Sequence, residues 1–280
     1  MVSAHTFKHL FHPTDLSGSS HTAFVHALKL ALSWRASLTL LHTGHREEGM
    51  SEMPQVRHTL KRWGVLQDEM DEAEFERLGF GIRKVVAKGT DPLEACTDYL
   101  QEHPTDLLVL ATHQESSGFN PLRRKVATPL ARSVGQAALF LPHHLRGFVD
   151  PGNGQVNLSR ILIPVTSDPD PMVSIRAANM VTEGLGLTSV DCTLLHVGSK
   201  ASFPDPLPPE SKTCRWEHVH RQGDIVDTIV AVHDEISADL VIMASEGHDG
   251  FLDVLRGSTT ERVLEKIKCP LLAIRARPHP

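Results

Sequence analysis

The sequence lacks most features that mark membrane-spanning and nucleic-acid-binding proteins. Its longest apolar runs, at 137–141 and 240–244, are far shorter than the roughly 20 residues that cross a bilayer. Only 5% of the 280 residues are aromatic, which is too few for a base-stacking surface. The net charge of −6 argues against a general nucleic-acid-binding protein, which usually has a basic surface. We therefore expect neither a membrane nor a nucleic acid as a partner.

Cysteine is also scarce. The four residues, Cys96, Cys192, Cys214 and Cys269, form no Cys-x-x-Cys pair, which favours reduced thiols acting as small buried side chains over a disulfide framework. Residues 1–12 alternate polar and apolar side chains and carry no long apolar stretch of a secretory signal. The sequence therefore predicts a cytoplasmic protein.

An internal repeat organises the chain. In both copies, short apolar runs alternate with segments of helical spacing, which predicts parallel sheets with helices on both faces. The copies match in four pieces, which are 9–13 with 160–164, 37–44 with 191–198, 106–111 with 239–244, and 134–141 with 267–274 without a gap.

The two copies are predicted to be separate domains that differ in one connection. Proline, glycine and asparagine interrupt the periodicity at 142–157, so we expect domains at 1–148 and 156–280. The first copy has an extra segment of helical spacing at 53–80. The second has four prolines at 202–210, which predict an extended loop.

A glycine-containing motif follows the apolar run 240–243 in the second copy. It reads Ala244-Ser-Glu-Gly247, then nine residues, then Gly257-Ser258-Thr259 and a helical stripe. Glycine lets the backbone approach an anion closely, and free amides with a hydroxyl at a helix start can bind phosphate. Because ligands of open parallel sheets lie beyond the carboxyl ends of strands, this segment predicts a triphosphate site.

This motif and the duplicated frame resemble the tandem universal stress proteins, which are marked by Gly-x-x-Gly, nine residues and then Gly-Ser or Gly-Thr. The resemblance covers nearly the whole chain, twice. It implies an α/β fold with two five-stranded parallel sheets of order 3-2-1-4-5, of the adenine nucleotide alpha hydrolase-like type. The last strands, at 138–141 and 271–274, would meet across a pseudo-two-fold axis as an intramolecular dimer. That arrangement leaves either a monomer or a homodimer.

The resemblance also implies a stress-response regulator that binds ATP, AMP or ADP, with Mg²⁺ accompanying ATP, and that acts on a protein partner the sequence does not identify. Two positions depart from the family pattern, since Thr166 replaces an aspartate and Ala244 replaces a glycine. The residues carried over to a nucleotide site are Pro164, Val165, Thr166, Val197, Met243, Ala244, Gly247, Gly257, Ser258 and Thr259.

The first copy departs from the pattern in the opposite way. It keeps the family's Pro-x-Asp as Pro13-Thr14-Asp15, but Ala111, Gln114 and Arg124 stand where the glycines belong. We therefore predict at most one nucleotide per chain, in the second copy.

Other chemistries are weighed against this interpretation. A zinc site is one alternative, because nitrogen and oxygen ligands suit zinc and four residues fall near neighbouring strand ends: His12, His42, His113 and Asp15. A nucleotide-free scaffold is another. Neither a Gly-x-Ser-x-Gly elbow nor a Walker loop is present, so no catalytic residue is predicted and slow ATPase activity is not expected.

Overall fold

A computed structural model describes residues 7–44, 46–112, 126–142, 145, 147–204, 206–246 and 259–276, although the side chains of residues 46–48 and 246 lie outside this description. All ten strands join one sheet, in the order β3-β2-β1-β4-β5-β10-β9-β6-β7-β8. The helices cover both faces of the sheet. No helix in the described part of the chain is long and apolar enough to cross a membrane.

The first half supplies five strands and six helices from the described residues. In chain order these are β1 His9–Pro13, α1 Gly18–Trp34, β2 Ser37–Thr43, α2 Arg46–Glu52, α3 Val56–Arg62, α4 Glu72–Arg77, β3 Gly81–Ala87, α5 Pro92–Glu102, β4 Leu107–Thr112, α6 Ala127–Val134 and β5 Ala137–Pro142.

The second half repeats this order without the helical insertion of α2 to α4. Its elements are β6 Arg160–Pro164, α7 Met172–Gly184, β7 Val190–Val197, a short 3₁₀ turn Lys200–Ser202, β8 Cys214–Arg221, α8 Ile225–Ile236, β9 Leu240–Glu246, α9 Thr259–Leu264 and β10 Leu271–Ala276.

Each half has the predicted strand order 3-2-1-4-5, and strands are parallel within a half. The halves meet where β5 and β10 pair in antiparallel register, with Leu272 opposite Leu139 and Ala273 opposite Ala138. The predicted pairing of the last strands is therefore confirmed. β5 is a continuous apolar run and β10 is apolar from Leu271 to Ile274, as expected for strands covered on both faces.

The sheet carries an apolar layer on each face, and both layers extend through the two halves. One layer includes residues of α1 and α7. The other includes residues of α5, α6, α8 and α9. In α1, Phe24, Ala27, Leu28 and Ala31 lie at helical spacing and are fully buried. In α8 the buried side begins at Val226, and Ile225 at the helix start is half exposed.

An aspartate at the equivalent position in each half aligns the first and fourth strands. Asp106, just before β4, accepts hydrogen bonds from the backbone amides of Lys8 and His9 at 2.8 and 2.9 Å. Asp239, just before β9, accepts from those of Ser159 and Arg160 at the same distances. These acids begin the repeated 106–111 and 239–244 segments, so this matching pair was already visible in the sequence.

The segment between the halves is packed against the first half. Phe148 and Val149 are buried, and Val149 pairs with Val156. The backbone amides of Phe148 and Val149 donate to Nε2 of the fully buried His26 at 3.0 and 3.1 Å, while its Nδ1 donates to the Thr22 carbonyl. The sequence indicated an interruption of periodicity here, but it did not indicate this anchoring.

Candidate functional site

The candidate site lies where the strand order of the second half reverses. β6 is flanked by β7 on one side and by β9 on the other, and all three run parallel. Their carboxyl ends therefore meet at one edge of the sheet. In open α/β sheets, ligands bind in the crevice at such a reversal.

A backbone clamp fixes the chain as it leaves β6. The Val165 amide donates to the Leu195 carbonyl at 2.8 Å, and Nδ1 of His196 donates to the Val165 carbonyl at 3.1 Å. The first half has the same clamp, because the Thr14 amide donates to Leu41 and His42 Nδ1 donates to the Thr14 carbonyl, both at 2.8 Å. The repeated histidine of the sequence thus orients the loop after the first strand of each half.

Most described residues of the predicted site lie at these strand ends. Pro164 ends β6, Val165 is buried directly after it, and Thr166 is exposed. Val197 ends β7, whereas Met243 and Ala244 lie within β9. Thr259 begins α9. Gly247, Gly257 and Ser258 lie outside the described residues, so the glycine segment itself stays a prediction.

An open groove borders this edge, and no pattern in the sequence predicted it. Its volume is about 640 Å³. It lies between the loop that follows Thr166 and the proline-rich segment, and Leu207 of that segment is 84% exposed. The lining residues are Ser167, Asp170, Pro171, Met172, Pro204, Pro206 and Leu207.

Aromatic and imidazole rings close the side of the site next to β8. Phe203 lies 5.6 Å from the ring of His196 and 5.5 Å from that of His218. His196 Nε2 lies 3.0 Å from the Ser202 hydroxyl, and His220 Nε2 donates to the Gly198 carbonyl at 2.8 Å. Both nitrogens of His196 are therefore engaged, one by a backbone carbonyl and one by a hydroxyl.

The corresponding edge of the first half contains a buried histidine. His12 is fully buried and its Nδ1 donates to the Val109 carbonyl at 2.8 Å, while its buried Nε2 has no hydrogen-bond partner among the described residues. Burial lowers the pKa of His12 to about 4, so the ring is neutral near pH 7. Asp15 accepts from the amide of Ser17 at 3.0 Å.

The described residues form no cluster of the kind that the zinc hypothesis requires. Among the residues that the structure describes, no group of three His, Cys, Asp or Glu side chains could hold a metal ion. That set includes His12, His42 and Asp15, whereas His113 lies outside the described residues.

With this geometry established, comparison with known proteins identifies the family. The sequence profile of the Universal stress protein family matches residues 6–137 and 207–275. The chain belongs to this family. The two matched segments fall in the two halves, as the repeat predicted.

Individual universal stress proteins show the same relationship. The universal stress protein E homolog of Haemophilus influenzae is 40% identical over 60 residues, a match that spans 21% of this chain and 19% of that protein. A universal stress protein of Archaeoglobus fulgidus superposes with a TM-score of 0.60 at 16% identity, over 96% of this chain and 97% of its own.

A second solved structure, from Pseudomonas aeruginosa UCBPP-PA14 and assigned to the universal stress proteins, gives a TM-score of 0.62 at 13% identity. It covers 98% of this chain and 95% of its own. At these identities the likeness shows the fold alone. It extends over both halves, so the tandem architecture is shared along nearly the whole chain.

Proposed function

We propose that this chain is a stress-response regulatory protein that binds ATP, or the related AMP or ADP, in its second half without efficient turnover. The observation that carries the proposal is the meeting of β9, β6 and β7 at the reversal of strand order, with the glycine-containing sequence leading from β9 into α9. Family membership adds the expectation of an adenine nucleotide.

The described residues divide into two parts of such a site. Val197, at the end of β7, offers main-chain groups and an apolar side chain to a base, and Thr166 offers one hydroxyl to a ribose, while Val165 lies buried between them with its own amide and carbonyl bonded to β7. The amides of 257–259 would face the phosphates, where Mg²⁺ would accompany ATP. His196 fixes Val165 in place, so this part of the site is formed before a ligand arrives.

The same geometry argues against efficient hydrolysis. His196 is the imidazole closest in sequence to the proposed base contacts, and hydrogen bonds engage both of its ring nitrogens. The hydroxyl beside Nε2 also donates to the Ser199 carbonyl at 2.8 Å, so the ring is held within hydrogen bonds of the protein itself. This position does not direct it towards an attacking water. We propose slow or no release of ADP, and incubation with ATP followed by detection of ADP checks this.

The test exchanges the residues that distinguish the halves. Thr166→Asp introduces the acid of the family pattern in the second half, and Asp15→Thr removes it from the first. An added charged hydrogen bond is worth about 1.5 to 3 kcal/mol, so Thr166→Asp should tighten ATP binding at least about tenfold in a calorimetric titration. Asp15→Thr should leave the affinity unchanged. Weaker binding in Asp15→Thr, with no effect of Thr166→Asp, would place the nucleotide in the first half instead.

A nucleotide-free scaffold is the second candidate, and the open groove beside Thr166 with its exposed Leu207 favours it. A protein partner could contact this surface without any nucleotide. Thermal unfolding decides between the two functions, because a ligand that binds the folded state must raise the melting temperature. A melting temperature that ATP and Mg²⁺ leave unchanged would support the scaffold.

The remaining properties are proposals as well. We propose a cytoplasmic protein that is a monomer or a homodimer, since β5 and β10 already pair within one chain. Sedimentation analysis distinguishes the two states. Metal analysis of protein purified without a histidine tag tests the zinc alternative, which requires bound zinc in the first half.

A further inference from the structure

Two of the four cysteines lie together between β7, β8 and α7. In the parallel register Cys214 is opposite Val190, and Cys192 is two residues further along β7. Residues two apart in a strand share a face, so both thiols lie on the side of the sheet that faces α7. Both belong to the apolar layer there, yet each acts on the ionisation of the other.

A chain of hydroxyl groups surrounds the Cys214 sulfur. The Thr182 hydroxyl lies 3.3 Å from Sγ, and the Thr213 hydroxyl donates to it at 3.8 Å. Thr182 and Thr213 lie 3.0 Å apart, and Ser211 lies 3.1 Å from Thr213. The Thr182 hydroxyl also donates to the Asn179 carbonyl at 3.1 Å. A hydroxyl that donates to the sulfur stabilises a negative charge on it.

These contacts shift the pKa values of the two thiols in opposite directions. Hydrogen bonding from Cys192, and then from the neighbouring hydroxyls, holds the pKa of Cys214 below its usual range despite burial. The same contact with Cys214, together with burial, raises the pKa of Cys192. Cys96 and Cys269 are also buried, and burial raises the pKa of both, to about 12 for Cys96. Only the thiolate is a strong nucleophile.

We propose that Cys214 is a peroxide-reactive thiolate and that Cys192 is the thiol that resolves its oxidised form. This proposal does not depend on nucleotide binding. Cys214 is the first residue of β8, a strand at the edge of the sheet, where a small oxidant needs to displace little structure. Hydrogen peroxide is small enough to act there.

The chemistry takes place in two steps. The Cys214 sulfur, as thiolate, attacks one oxygen of hydrogen peroxide, the O–O bond breaks, and the products are a sulfenic acid and hydroxide, which becomes water by taking up the proton that the Cys214 thiol released on ionising. The Cys192 sulfur then attacks the Cys214 sulfur, the S–S bond forms, the S–O bond breaks, and hydroxide leaves with the thiol proton as water. Two thiols lose two electrons and one peroxide becomes two waters.

The test treats the reduced full-length protein with hydrogen peroxide, blocks the remaining thiols by alkylation and locates each modification by mass spectrometry. We expect a linked peptide pair of Cys192 and Cys214 that dithiothreitol separates. Cys214 should react at least about tenfold faster than Cys96 or Cys269, which serve as buried controls in the same chain. Equal reactivity of all four thiols overturns the proposal.

Variants separate the two roles. In Cys192→Ala, dimedone should trap a sulfenic acid at Cys214, and in Cys214→Ala, Cys192 should stay reduced. Thr182→Val removes a hydroxyl beside the sulfur and should slow the reaction at least about threefold. The matched control is Thr193→Val, at a buried position one residue beyond Cys192 and on the opposite face. If dimedone traps no more sulfenic acid at Cys214 in Cys192→Ala than in the wild type, the resolving role is refuted.

Discussion

Helices α1 and α7 occupy the same place in the two halves, but their outer sides differ. Val25 and Leu28, twelve and fifteen residues after Pro13, are fully buried. The residues at the same distances from Pro164 are Arg176, which is exposed, and Asn179, which is partly buried. Helix α1 is therefore buried nearly all round, whereas α7 keeps a polar side.

The insertions account for this difference. In the first half, Met53, Val56 and Leu60 of the helical insertion are buried in the same apolar layer as α1. Trp63, just after α3, donates from Nε1 to the Pro151 carbonyl at 3.1 Å and so contacts the segment between the halves. In the second half a proline-rich segment replaces these helices and borders an open groove. In the first half the inserted helices pack against α1, whereas in the second half a groove lies beside the strand ends.

Replacing His26 should have the largest effect on stability, because it anchors the segment between the halves. His26→Leu leaves the amides of Phe148 and Val149 buried without an acceptor, which should lower the free energy of unfolding by about 3 kcal/mol at pH 7. Denaturant titration measures this. His58→Leu, on the exposed side of α3, is the matched control and should change it little.

The pH dependence of stability provides a second test of His26. Burial lowers the pKa of His26 from 6.5 to about 4, so the unfolded chain takes up a proton at higher pH than the folded one. Stability should therefore fall as the pH drops from 6.5 towards 4, by about 3 kcal/mol for this residue. His26→Leu should lose that part of the dependence and keep the part due to His12. Parallel curves for both proteins would contradict this account.

A smaller loss is expected where α1 and α7 touch. A Cβ atom on Gly184, the last residue of α7, would lie 1.9 Å from Nε1 of the buried Trp34. Gly184→Ala should therefore destabilise the protein by about 2 kcal/mol, since a packed ring has little room to move. Gly18→Ala, at a helical glycine with no atom within 4 Å of the added carbon, is the control in a thermal melt. Equal melting temperatures would show that the two helices can separate.

The smallest effect should come from an ion pair between the halves. Arg132 of α6 donates to Glu261 of α9 at 2.6 Å, and both side chains are about one-fifth exposed. Glu261→Gln keeps the shape and removes the charge, so we expect a loss of about 1 kcal/mol that high salt reduces. Glu235→Gln, in the more exposed pair with Arg221, should cost less in the same denaturant titration.

The sequence predicted the features that follow from the internal repeat and from local apolar periodicity. Alternating apolar runs located the strands, and the gapless match between 134–141 and 267–274 predicted that β5 and β10 are equivalent. That the two strands pair was implied by the family resemblance and is confirmed. Val56 and Leu60 at helical spacing predicted α3, and both are buried. These features depend on local periodicity, which a sequence displays directly.

Features that depend on contacts distant in sequence were not predicted. His26 lies 122 residues from Phe148, so no local pattern marks it as the anchor of the segment between the halves. The cysteines were correctly interpreted as buried, but the hydroxyl groups around Cys214 come from a helix and a loop that meet only in the fold. The residues carried over to the nucleotide site stay a prediction, whereas the groove arises from the path of the proline segment.

The antiparallel junction has a consequence during synthesis. The ribosome completes β1 to β5 while 271–276 do not yet exist, so the outer edge of β5 has no neighbour. That edge belongs to Ala137–Pro142, an uncharged apolar strand that is buried along its whole length in the finished protein. Such an edge readily pairs with another chain. A nascent first half is therefore exposed to joining its own copies on a polysome, until the remaining residues emerge and take that place.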